Sequence, residues 1–204
     1  AGEERRQLEV VAGQPVEASD EFARFRHNLN FGQSRDPALK DYRKDLLEKY
    51  KIAEPKTWDE LAAASKKIQA GEGNPNLQGL SIQGAPIEGA VCTFLLPYWS
   101  QGKEFNDASG KLTLDKAAAV KGLNQWLSMV DAGVIKRNVA EVKTPDTVNE
   151  FKAGQVVFAI NWGFAWDRFK DDKDSTVQGK VGVMPLPAMA GGKSATCVGG
   201  WQWA

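Results

Sequence analysis

The chain has 204 residues, 42% of them hydrophobic and 25% charged, a globular composition with room for one large domain or two small ones. Its 26 basic and 26 acidic side chains cancel, which removes the long-range attraction that nucleic acid or an anionic membrane surface exploits. No apolar run approaches the roughly 20 residues that span a bilayer. The charged stretch Ala1 to Glu9 has no signal-peptide core, so a secreted form is expected to have lost its signal.

In chain order, residues 1–39 contain five arginines and no lysine, a usage that reverses afterwards and suggests a boundary. Phe22, Phe25 and Leu29 recur at helical spacing behind Ser19 and Asp20, which predicts either a short amphipathic arm or a loosely packed extension. The second region, 40–204, has consistent local signals. Thr57-Trp58-Asp59-Glu60 is a capping box, and Leu61, Ala64 and Ile68 follow on one helical face up to the Gly71–Asn76 cluster. Leu77 to Gln83 reads as a strand. Glu88 to Trp99 reads as a helix that Pro97 should kink or end early.

Asp115 starts a long helix with Val120, Leu123, Leu127 and Val130 as its expected apolar stripe, closed by Gly133. Thr144-Pro145 predicts an N-cap followed by proline at the first helical position, and Gly154 stops that helix after Phe151. Strands are expected at Gln155–Ile160, Lys180–Met184 and Ala195–Ala204. Interleaved helices and strands predict a layered α/β domain.

The sequence offers little to catalysis. Its one histidine, His27, is read as a surface group, and no cluster has metal-ligand spacing. Asp171-Asp172-Lys173-Asp174 lacks the alternating ligands of a calcium loop, and Gly191-Gly192-Lys193-Ser194 lacks the glycine spacing of a phosphate loop. No nucleophile or acid/base set stands out, so no enzyme, metal or cofactor is expected. Cys92 and Cys197 permit one disulfide in an oxidising compartment, or equally two buried thiols.

Aromatic residues are more telling. Four of the seven tryptophans fall in two clusters, Asn161-Trp162-Gly163-Phe164-Ala165-Trp166 and Gly199-Gly200-Trp201-Gln202-Trp203. Indoles at strand ends suit the C–H face of a pyranose, with directed polar groups for its hydroxyls, although the same rings could fill a core.

Five landmarks in order carry a resemblance: Tyr42-Arg43-Lys44-Asp45-Leu46-Leu47; Lys56-Thr57-Trp58-Asp59-Glu60-Leu61; Phe151-Lys152-Ala153-Gly154-Gln155 leading to Ala159-Ile160-Asn161-Trp162; Val181 to Pro187; and Gly199-Gly200-Trp201. Over about 42–204 the chain resembles the sugar-binding proteins of ABC importers. The resemblance implies a type II periplasmic-binding-protein-like α/β lobe, mainly the second of two, with helices layered on a mixed sheet and incomplete relative to the whole fold. It implies stacking faces at Trp162, Phe164 and Trp201, backbone approach at Gly199 and Gly200, and a polar contribution from Glu88. It also implies pairing of Cys92 with Cys197, a saccharide ligand, a membrane permease as partner, and a periplasmic or extracellular location. A lone lobe exposes surface, so homo-oligomerisation is a further expectation, and an assembly scaffold without sugar binding is the alternative function.

Overall fold

The computed structural model describes residues 39–107 and 109–197. The chain order is β1 (Leu39–Arg43), α1 (Lys44–Lys49), α2 (Trp58–Glu72), β2 (Gln78–Ser81), α3 (Glu88–Trp99), α4 (Lys116–Asp131), α5 (Thr144–Lys152), β3 (Val156–Ile160), α6 (Ala165–Asp171) and β4 (Val181–Pro185), with a single 3₁₀ turn at Val139–Glu141. The four strands form one sheet in the order β2-β3-β1-β4. Strands β2 and β3 are parallel, while β1 runs antiparallel to both of its neighbours. A mixed sheet flanked by helices is the α/β lobe that the sequence leads one to expect. The N-terminal arm with Phe22, Phe25 and Leu29 lies outside the described residues.

The register decides which ends meet. Lys40 pairs with Ile160 and Leu39 with Pro185. The C-terminal ends of β2, β3 and β4 therefore share one edge of the sheet with the start of β1.

Two cores sandwich this sheet. Trp58, Leu61, Ile68, Leu80, Val157, Phe158 and Met184 belong to the larger. The smaller joins Val148, Phe151, Val156, Ala159, Phe169 and Val181. Several sequence landmarks are parts of this scaffold. The Thr57 hydroxyl accepts from Glu60 N–H at 3.2 Å while the Glu60 carboxylate accepts from Lys56 and Thr57 N–H, which completes the capping box. Arg43 grips Asp45 through two hydrogen bonds of 2.8 and 2.6 Å, fixing the turn from β1 into α1. Gly154, at φ +70°, ends α5 in a conformation that a side chain would resist.

Four expectations need correction. Helix α3 runs through Pro97 to Trp99. Proline cannot donate to the Thr93 carbonyl one turn back, and the indole N–H of Trp126 takes that acceptor at 3.2 Å. In α4 the buried face is Ala118, Ala119, Gly122, Trp126 and Met129, while Val120, Leu123 and Leu127 point outward. Small residues let α3 approach closely, so the inward face follows backbone proximity instead of side-chain size. Thr144 is the first residue of α5 and does not cap it: Lys143 N–H donates to Asp146 at 2.8 Å, and the Thr144 hydroxyl is spent elsewhere. Of the expected terminal strand, Ala195–Cys197 are not in a strand, and the remainder lies outside the described residues.

Candidate functional site

In open sheets with parallel strands, ligands gather beyond the carboxyl ends of the strands. At that edge here, β2 leads through Gln83 into the first turn of α3, and β3 leads through Asn161 and Trp162 into α6. The start of α5 lies between them, because the Thr144 hydroxyl donates to Gln83 Oε1 at 2.8 Å. The Asn161 carboxamide donates to Thr147 Oγ1 at 2.8 Å and accepts from the backbone N–H of Trp162 at 2.9 Å. The Thr147 hydroxyl in turn donates to the Thr144 carbonyl at 2.8 Å. One polar chain thus runs from the β2 exit across α5 to the aromatic loop.

That loop is half open. Trp162 is half-buried, whereas Phe164 and Trp166 are 39% and 37% exposed, large for aromatic side chains on a packed lobe. Glu88 is the exposed first residue of α3, and its carboxylate makes no hydrogen bond or ion pair among the described residues. Cys92, one turn further along α3, has its Sγ 2.9 Å from that of Cys197. Gly199, Gly200 and Trp201 lie outside the described residues.

Gln83, Thr144 and Thr147 were missed as site residues. The only sequence signal for them was position: Gln83 follows an apolar strand, and the two threonines open a helix three residues apart. Among the described residues no group of three or more His, Cys, Asp or Glu side chains could hold a metal ion, and no helix is long and apolar enough to cross a membrane.

The profile of the bacterial extracellular solute-binding proteins matches residues 26–204. The chain belongs to this family. A probable ABC transporter-binding protein of Deinococcus radiodurans is 38% identical over 175 residues, covering 83% of this chain and 41% of that one. A probable amino-acid ABC transporter periplasmic-binding protein of Sinorhizobium fredii is 29% identical over 154 residues, 74% of this chain and 32% of its own length. Among solved structures, maltose-bound MalE3 of T. maritima superposes with a TM-score of 0.72 at 41% identity, covering 78% of this chain and 40% of that one. A ribitol complex of a solute-binding protein from Agrobacterium radiobacter K84 shares the fold, with a TM-score of 0.66 at 21% identity over 80% of this chain and 43% of that one. The chain therefore spans between about a third and two fifths of the length of these relatives.

Proposed function

We propose that this chain is the ligand-contacting lobe of an extracytoplasmic solute-binding protein that delivers a saccharide to an ABC permease, by binding and without chemical change. The observation that carries the reading is the open aromatic loop at the strand-end edge, tied by Asn161 to the start of α5. Trp162 and Phe164 stack against the sugar ring, and the Glu88 carboxylate accepts from its hydroxyls. Gly199, Gly200 and Trp201 complete the face: Gly199 is two residues beyond Cys197, within about 7 Å of chain. Cys92 and Cys197 form a disulfide that ties this terminal segment to α3, one turn from Glu88. Maltose-bound MalE3, at 41% identity, supports a saccharide as the ligand class.

Titration of the intrinsic tryptophan fluorescence with maltose and other saccharides, to millimolar concentration, tests the reading. A saturable shift that Trp162→Ala abolishes is the expected result. Absence of a shift with every saccharide overturns it.

A further inference from the structure

We infer that Gln83 is a specificity-determining residue of this site, donating from its carboxamide nitrogen to a ligand oxygen. The inference rests on the saccharide reading and adds a recognition group to it. Gln83 is only 4% exposed. Its carboxamide head sits where the first turns of two helices converge: Oε1 accepts from the Thr144 hydroxyl that opens α5 and packs directly against Gly89 in the first turn of α3. A Cβ at position 89 would occupy the space of that head, so the glycine is what admits it.

The two N–H groups of Nε2 donate to none of the described residues. A carboxamide nitrogen with no acceptor among the described residues, held at the start of two helices, is placed to donate to a ligand oxygen. Ile87, at the N-cap of α3, supplies no side-chain acceptor either, so the first turn of that helix also presents unspent backbone N–H groups. The acceptor that suits this arrangement is an uncharged oxygen. Exposed Glu88 next to it disfavours an anion, whereas a sugar or polyol hydroxyl can accept from Gln83 and donate to Glu88 at once.

In this structure the Thr144 hydroxyl donates to Oε1, which leaves Nε2 uninvolved in that bond. Gln83→Glu keeps the acceptor for Thr144 and removes the N–H groups. Gln83→Leu removes both.

The test is a maltose titration followed in two ways. In the unaltered chain labelled with ¹⁵N, the side-chain amide resonance pair assigned to Gln83 by its loss in Gln83→Glu should shift and saturate together with the tryptophan signal. By fluorescence, both Gln83→Glu and Gln83→Leu should weaken maltose binding about tenfold, the worth of one hydrogen bond, while circular dichroism shows the fold retained. An unmoved Gln83 resonance beside a saturating tryptophan signal overturns the role of Gln83 and leaves the sugar reading standing, as does unchanged affinity in Gln83→Glu. Silence of both signals with maltose and with a wider saccharide panel overturns the sugar reading and this assignment with it.

Discussion

The sulfur atoms of Cys92 and Cys197 lie 2.9 Å apart although 105 residues separate them in the chain. Cys92 is fixed in the body of α3, and Cys197 ends a segment that doubles back along that helix from Ser100, where Lys193 N–H donates to the Ser100 carbonyl at 2.9 Å. Two thiols this close are positioned to pair.

Oxidised protein should therefore be lighter than reduced protein by about 2 Da, the two thiol hydrogens lost on pairing. A loop of this size should also make the bond matter, at up to about 5 kcal/mol. Intact mass with and without reductant checks the first point, and thermal unfolding of Cys92→Ser the second. Equal masses and equal melting temperatures would rule the bond out.

Asp41 gives a prediction of opposite character. It sits in β1 between Ala159 and Val183 of the flanking strands, and it is only 5% exposed. Burial pushes its carboxyl from 3.8 up to about 8. The folded state then keeps a proton that the unfolded chain releases above 3.8, so this group's contribution falls as pH rises from 3.8 to about 8. At about 1.4 kcal/mol per pH unit the cost above that window is on the order of 6 kcal/mol. Asp41→Val should raise stability at pH 8 and flatten the pH dependence, as urea unfolding at pH 5 and pH 8 would measure. A variant no more stable than the original at pH 8 would refute the account.

Helix α4 shows where sequence periodicity misleads. Val120, Leu123 and Leu127 form a plausible apolar stripe, yet Leu127 is 59% exposed while its neighbour Trp126 is buried edge-on to Trp58 at 4.8 Å. Trp126→Ala should cost about 3–5 kcal/mol, since it empties a packed site and orphans the Thr93 carbonyl. Leu127→Lys should change stability by no more than about 0.5 kcal/mol. Denaturant midpoints for the two variants separate the faces. Comparable losses would mean that the stripe is covered after all.

Local chemistry was the legible part. The Thr57 capping box, the Gly154 stop and the apolar strand Val156–Ile160 each depend on residues within a few positions of one another, and each appears as the sequence reads. What escaped depends on partners far along the chain. Pro97 is tolerated only because Trp126 takes the freed carbonyl, and Thr144 leaves its capping role for Gln83, 61 residues away. The site divides along the same line. Its aromatic residues announce themselves in clusters, whereas Gln83 and Thr147 acquire meaning only once the ends of β2 and β3 and the start of α5 meet at one edge.

The last prediction concerns how that edge holds Trp162. Thr147 is fully buried, and its hydroxyl accepts from Asn161 while donating to the Thr144 carbonyl. Asn161 spends its remaining oxygen on the Trp162 N–H. Thr147→Val keeps the shape and deletes the hydroxyl, leaving the Asn161 amide without its partner at a cost of about 1–3 kcal/mol. The side chain of Asn161 should then reorient towards water and release the Trp162 backbone, red-shifting the emission of that tryptophan. Thr147→Ser restores the hydroxyl and should restore the emission, even though it loses a methyl group from the core. Emission spectra of the two variants, each compared with its Trp162→Phe counterpart to isolate that ring, decide the matter. If valine and serine behave alike, packing and not the hydroxyl sets the loop.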